Sequence, residues 1–327
     1  MRIALYVHGR GRGHASRSRS IADALRAEGH SLRIFAGGDA VDMLRDDADW
    51  HMRRPVVPGA VLSTTPGRLR EELSLLRDWA PELVISDGDM PSVLAARALG
   101  VPALAIGHDL IFSRCVLPSD TPRAALLRER VNSAHTRLAR FGVAVNFLPL
   151  VGVNDRVRVA RPDLRAALRG DVRDDGWVVA YFRDPNGAPV LEALVRAGQR
   201  VKLFGARFPP PPGVEPQPFD DRAFAAALLG ARAVVGSSGS NLLAECVALG
   251  KPLLALYAKG DAEQQINGHL LETAHVGTSA RFDAPMAPVV TRFLARVEAR
   301  DFARASLEAM PTASEAVAQL LPQVLAR

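Results

Sequence analysis

Short apolar runs of strand character alternate with stretches of helical period along this chain, and the alternation begins twice. That rhythm is the signature of parallel sheets covered by helices, because a connection between parallel neighbours has to cross the sheet face. In the first half, residues 3–7, 32–36, 83–86 and 103–106 are predicted strands. Helices are expected over 16–28, where Ile21, Ala22, Ala24 and Leu25 share a face and Gly29 is the stop, and over 40–45, 69–79 and 91–99. Around 146–169 the pattern gives way to a polar, arginine-rich connection containing Gly152 and Pro162. A second series then follows, with strands at 177–181, 201–204, 233–235 and 253–256, helices at 188–197, 224–229, 241–249 and 264–272, and a helical tail from 288. A chain of 327 residues is about twice the usual size of one domain. The expected fold class is therefore α/β with two Rossmann-like domains, 1–150 and 151–310, followed by a last segment, 311–327.

The hydrophobic fraction of 48% and charged fraction of 23% exclude a disordered chain. The net charge of +6 rests on arginine, since lysine occurs only at Lys202, Lys251 and Lys259. No stretch clusters basic residues with interleaved aromatics, so nucleic acid is not an expected partner. Cys115 and Cys246 are too few for a disulfide framework and lack metal-binding spacing, which reads as two buried thiols in a reducing compartment. Met1 leads into a short strand and glycine without an export pattern, and the longest apolar stretch, 223–235, is broken by Arg232 and too short to span a bilayer. The expectation is a cytoplasmic protein with at most peripheral membrane contact.

Ligands of open parallel sheets bind beyond the carboxyl ends of the strands, where turns and helix N-termini present backbone amides. The first such place is Val7-His8-Gly9-Arg10-Gly11-Arg12-Gly13-His14. Its G-x-G-x-G spacing departs from the dinucleotide fingerprint, and Gly37-Gly38-Asp39 after the second strand supplies no well-placed ribose acid. What it does supply is His14 at a helix start, an imidazole suited to take a proton from an attacking hydroxyl. Asp87 and Asp109, after the third and fourth strands, are the two candidates for a carboxylate that orients it. His108 lies at the same edge, where a structural role is equally consistent.

The second place is Gly236-Ser237-Ser238-Gly239-Ser240-Asn241, a strand-to-helix turn whose small residues suit a pyrophosphate held on backbone amides. Glu245 follows Asn241 by one helical turn, and the chain continues through Gly250-Lys251-Pro252 and a buried strand to Asp261, Gln264, Gln265 and Asn267.

Residues 236–271 resemble the donor-binding signature of GT-B glycosyltransferases, especially the UDP-glycosyltransferases and the enzyme that adds N-acetylglucosamine to the lipid-linked peptidoglycan precursor. Gly13-His14-Ala15-Ser16-Arg17-Ser18 resembles the glycine-rich loop of the same superfamily, nearest to a group of bacterial and archaeal glycosyltransferases. Pro81-Glu82-Leu83-Val84-Ile85-Ser86-Asp87, Gly100-Val101-Pro102 and residues 214–233 extend the likeness over most of the chain. The resemblance implies two Rossmann-like domains facing across a cleft, the N-terminal one on the acceptor side and the C-terminal one holding the donor, with the last helix packing back on the first domain. It implies direct displacement of a hexose or N-acetylhexosamine from a nucleotide sugar, a UDP-sugar with dTDP as the alternative, onto an acceptor that is a small molecule or lipid-linked. No cofactor and no metal are implied.

By position, the resemblance places Gly13, Ser237, Ser238, Gly239 and Ser240 at the diphosphate, Glu245 at the ribose hydroxyls, and Gln264, Gln265 and Asn267 at the donor sugar. Phe219 would line the base pocket. Phe182-Arg183-Asp184 departs from the pattern, which has a glycine-serine turn there, and Arg183 would pair with a phosphate instead. Asp87-Gly88-Asp89 has the D-x-D form used by metal-dependent transferases of another fold, whereas the GT-B likeness assigns the diphosphate charge to amides and cations. Two rivals share the architecture: a nucleotide-sugar 2-epimerase, and a non-catalytic nucleotide-sugar-binding protein. A nicotinamide dehydrogenase stands further off because of the broken fingerprint.

Overall fold

The computed structural model describes residues 1–9, 12–53, 61–218 and 220–326. They divide into two compact units: Met1–Leu117, Glu129–Asp163 and Glu308–Arg327 form one, and Pro118–Arg128 with Leu164–Leu307 form the other. The first unit contains strands β1 (Arg2–Val7), β2 (Ser31–Ala36), β3 (Trp50–Met52), β4 (Leu83–Asp87), β5 (Ala103–Gly107), β6 (Cys115–Val116), β7 (Phe141–Val145), β8 (Val151–Gly152) and β9 (Val157–Ala160). Seven of them make a parallel sheet in the order β3-β2-β1-β4-β5-β7-β9, while β6 and β8 form a separate antiparallel pair.

The period-two alternation of β1 shows why this sheet is covered on both faces. Ile3, Leu5 and Val7 pack with Ala15, Ile21, Ala22 and Leu25 of the helix Arg12–Ala27 and with Val317, Leu320 and Val324 of the helix Ala313–Leu325. Ala4 and Tyr6 point the other way, onto Leu76 of the helix Val61–Trp79 and Ala95 and Ala96 of the helix Met90–Ala98. Ala313–Leu325 thus belongs to the first unit's core, entered through a capping box of Thr312 and Glu315.

The second unit holds β10 (Trp177–Tyr181), β11 (Arg200–Phe204), β12 (Val214–Pro216), β13 (Ala231–Ser237), β14 (Leu253–Tyr257) and β15 (Gly277–Arg281), all parallel, in the order β12-β11-β10-β13-β14-β15. Val178, Ala180 and Phe182 pack with the helices Ala188–Arg196 and Met286–Glu298 in its main core cluster. In both sheets the strand order reverses beside the first strand, at β1/β4 and at β10/β13, and that reversal opens a crevice at the strands' carboxyl ends.

Residues 146–169 are not a bare connection: β9 extends the first sheet by pairing with β7, and the two units part between Asp163 and Leu164, beyond the expected 150/151. Arg158 within β9 and Arg156 just before it hide this edge strand from a hydrophobicity reading. β3, β12 and β15 are likewise edge strands with partly exposed residues. β7 is central but interrupted by Gly142, where a side chain would meet Leu110 and Arg114. Cys115 and Cys246 are both buried and free, and burial pushes the Cys115 thiol up to about 12. Among the described residues no helix is long and apolar enough to cross a membrane.

Candidate active site

β1 and β4 run in register, so Val7 lies beside Asp87 at the end of the first sheet. From β1 the chain enters the helix Arg12–Ala27, in which Gly13 and His14 occupy the first turn. His14, Arg17 and Ser18 are spaced three and four residues apart and therefore share one helix face. All three converge on Asp87. His14 Nδ1 lies 2.7 Å from Asp87 Oδ1, Arg17 donates from Nη2 to Oδ1 at 2.5 Å and from Nε to Oδ2 at 3.0 Å, and Ser18 Oγ donates to Oδ2 at 3.1 Å. Burial alone would raise the Asp87 pKa, but the charges of Arg17 and His14 and their hydrogen bonds hold it well below the usual carboxylate range.

In the neutral ring, a carboxylate facing Nδ1 favours the proton on that nitrogen, which leaves the lone pair on Nε2; Arg17 Nη2 also lies 3.2 Å from Nδ1. The His14 side chain is 28% exposed while Asp87 is fully buried, so the ring is anchored on one side and reachable on the other. His8 lies alongside, ring centroids 5.2 Å apart, its pKa lowered by burial and then by His14.

Asp109 does not meet His14. It sits 3.4 Å from His135 Nε2 through Oδ2, and its Oδ1 is buried without a hydrogen-bond partner among the described residues. Of the two candidate carboxylates, Asp87 is thus the one in place, because it ends the strand next to β1, whereas Asp109 follows β5, one strand further out. His108 is buried, directs Nδ1 to the Val145 carbonyl at 3.0 Å and packs between Phe112 and Phe147, a structural setting. Asp89 caps the helix Met90–Ala98 by accepting from Ser92 N and also accepts from Arg68. The D-x-D pair is therefore engaged by protein partners at both carboxylates. Among the described residues no group of three or more His, Cys, Asp or Glu is placed to hold a metal.

Because the folded-state pKa of Asp87 lies below the ordinary value of about 3.9, its contribution to stability is fully present above that value and is lost as pH falls through the folded pKa. Denaturant unfolding of wild type and Asp87→Asn across pH checks this. The stability gap between them is expected to be widest near neutrality and to close below about pH 4; a gap independent of pH would contradict it.

The second cluster lies at the carboxyl end of β13, inside the other unit. The turn ends in the helix Ser240–Leu249, whose N-cap is Gly239 with no side-chain cap, so its first amides are not taken by a capping side chain. A Cβ at Gly239 would meet nothing within 4 Å, whereas one at Gly236 would run into Leu242. The chain is thus tight where the strand ends and open where the helix begins. Ser237 closes β13 and is half-buried. Ser238 is buried, its amide bonded to the Leu256 carbonyl and its Oγ unpartnered. Asn267, expected at the donor sugar, is instead fully buried and donates to the Ser238 carbonyl at 3.0 Å, which fixes the turn. Its position on the inner face of the helix Ala262–Thr273 accounts for this; Gln264 and Gln265, in the first turn of that helix, are half-buried.

Glu245 is engaged within its unit. Its Oε1 accepts from Arg165 Nε at 2.9 Å and Nη2 at 2.8 Å, with Phe224 under the guanidinium at 5.6 Å and Asp221 3.6 Å away. Burial raises the Glu245 pKa, and Arg165 works against that rise. Arg183 is exposed and donates to the Tyr181 hydroxyl at 3.2 Å. Phe219 and part of the first glycine loop, Arg10 and Gly11, lie outside the described residues. Sequence reasoning missed Arg17, Ser18 and Arg165. The first two were signalled by their spacing from His14; Arg165, eighty residues from Glu245, had no local signal.

Two doubly wound parallel units, each with a polar cluster at its strand-order reversal, define the GT-B class of glycosyltransferase folds. A family model described as glycosyl transferase family 1 matches residues 52–298, more than half of the chain, and the protein belongs to that family. An uncharacterized glycosyltransferase of Methanosarcina acetivorans is 25% identical over 329 aligned residues, covering 85% of this chain and 83% of the relative. One from Methanosarcina mazei is 23% identical, covering 87% and 88%. Among solved structures, the spinosyn forosaminyltransferase SpnP matches with a TM-score of 0.69 at 16% identity, covering 99% of both chains. Acinetobacter baumannii MurG matches with 0.65 at 17% identity, covering 98% of this chain and 99% of its own. These structural likenesses are likenesses of fold.

Proposed function

We propose that this glycosyltransferase moves a hexose or N-acetylhexosamine from a nucleoside diphosphate donor, a UDP-sugar, to a hydroxyl or other nucleophile of an acceptor by direct displacement, without a metal. The observation that carries the reading is the uncapped, sterically open start of the helix Ser240–Leu249 at the reversal point of the second sheet. Amides there suit a diphosphate, and a departing diphosphate develops the charge that such preorganised donors stabilise. The Glu245 carboxylate suits the ribose diol, for which the ribose must displace or share Arg165. Gln264 and Gln265 offer amides to sugar hydroxyls, and Arg183 to a phosphate. His14, oriented by Asp87, takes the acceptor proton at Nε2 as the new bond forms.

Thymidine diphosphate is the alternative nucleotide, since similar folds include VinC in complex with DTDP and SsfS6 complexed with thymidine diphosphate. Thermal unfolding against UDP, dTDP and their sugars separates the two, because a ligand bound only by the folded state raises the melting temperature. UDP and UDP-sugars are expected to give the larger shift; a shift confined to dTDP moves the assignment, and no shift with any nucleotide overturns it. Incubation with donor alone tests the epimerase alternative, for which an isomerised donor without acceptor is the signature.

Gly239→Val places a branched side chain where the diphosphate is to approach. Its backbone, at φ −73 and ψ 135, accepts valine, and the cap change costs about 1 kcal/mol. Donor affinity is expected to fall about tenfold or more, the equivalent of one charge-assisted contact. Calorimetric titration of the variant checks this, and unchanged affinity would place the diphosphate elsewhere.

A further inference from the structure

The second unit carries a pocket of about 770 Å³ at the amino-terminal ends of its strands, lined by residues that include Ala231, which opens β13, and Pro252, which precedes β14. β13 is seven residues long, so this floor lies about 20 Å from the Gly236–Ser240 turn. The glycosyl transfer proposed above uses none of it. The Gly250-Lys251-Pro252 motif belongs here, yet Lys251 is buried and spent on structure, donating to the Ala231 carbonyl at 2.6 Å and to that of Arg173.

Four arginines line the same pocket, Arg173, Arg232 and the exposed Arg300 and Arg304, together with the acids Asp174 and Glu298. Arg232 pairs with Glu298, and Arg173 lies 3.6 Å from Asp175. Arg300 and Arg304 have no carboxylate partner among the described residues. Helix ends explain part of this excess. The helices Asp221–Leu229, Ser240–Leu249 and Met286–Glu298 all finish here, and each carries about half a negative charge at its C-terminus. With Lys251 the pocket has five cations against three acids, Asp174, Glu298 and the adjacent Asp175, and that surplus still exceeds the roughly one and a half charges that three helix ends offset.

Arg300 also occupies a position that ordinarily favours glycine. Arg300 N bonds to Val297 O and Asp301 N to Arg296 O, the two hydrogen bonds of a Schellman ending, which puts Arg300 in the left-handed region at φ 52. The equivalent position after Ser240–Leu249 is Gly250, at φ 63, over which the Arg304 guanidinium lies. Of the two left-handed helix endings at the pocket, one has the glycine; the other holds an arginine, without a carboxylate partner among the described residues, in a conformation unfavourable to it.

We propose that this floor is a second ligand site of the protein, taking a soluble phosphate-bearing small molecule held by Arg300 and Arg304. The volume is that of a nucleotide-sized ligand. Val172, Val297 and Phe302 give it apolar wall beside the cations. A phosphate group accepts from several guanidinium donors at once, which an isolated chloride or a carboxylate does less completely.

Inorganic pyrophosphate is the probe, titrated calorimetrically into the full-length protein at low ionic strength. Arg300→Gly and Arg304→Ala are each expected to weaken binding about tenfold, one charge-assisted contact apiece. Arg300→Gly is informative because glycine suits the left-handed position, so its melting temperature is expected to hold or rise, and loss of binding cannot then be ascribed to unfolding. Binding at the floor is expected to survive Gly239→Val. Pyrophosphate binding that disappears in Gly239→Val but is unchanged in Arg300→Gly and Arg304→Ala overturns the proposal, as does the absence of any binding at millimolar probe.

Discussion

His14→Ala is expected to lower kcat for glycosyl transfer by about 100- to 10,000-fold, the range a positioned general base supplies, while the dissociation constant of the donor changes less than about threefold. The reason is geometric. The imidazole is bound through Nδ1 to a buried carboxylate, its side chain is part-exposed, and it belongs to a different unit from the Ser240–Leu249 helix start and Glu245. In the proposed mechanism, removing it takes away the proton acceptor and leaves the donor contacts of the other unit in place. Acceptor-dependent release of nucleoside diphosphate gives the rate, and calorimetric titration gives the affinity. Equal losses in both would make His14 a structural residue. Ligand binding in wild type with no turnover on any acceptor fraction would favour the non-catalytic binding protein.

Arg17→Ala is expected to have the largest effect on stability. Asp87 is fully buried and the Arg17 side chain is 7% exposed, so the pair is screened little by solvent. Breaking such a pair costs about 3–5 kcal/mol, since one charge stays buried without its partner. His14 and Ser18 still donate to Asp87, which places the loss toward the lower end. Arg17→Ala is therefore expected to unfold at lower denaturant. Arg17→Lys returns the charge without the two-pronged geometry and is expected to restore only part of the stability. A denaturant midpoint for Arg17→Ala equal to that of wild type would show that the buried pair does not hold the fold.

Much of this architecture was legible from period and punctuation. Strands such as β1, β4 and β10 are buried, apolar and bounded by glycine or polar turns, so their pattern survives in one dimension. The edge strands were not legible, because most of their residues are half-buried or exposed and β9 carries Arg158. The same limit applies to the site. His14 and the Gly236–Ser240 turn announce themselves as chemistry-bearing residues at strand ends. The choice of Asp87 over Asp109 needed the strand order, which periodicity does not encode. Asn267 looked like a ligand residue because amides bind sugars, yet helix phase turns it inward to the Ser238 carbonyl. Arg165 joins Glu245 only through tertiary folding, and nothing in its neighbourhood marks it.

The most direct test of the central claim is a crystal structure of the protein with an intact UDP-sugar. The account predicts diphosphate oxygens within hydrogen-bonding distance, about 2.7–3.2 Å, of the amides at Gly239 and Ser240, with the ribose hydroxyls on Glu245. A nucleotide bound elsewhere, with that helix start empty, would contradict it.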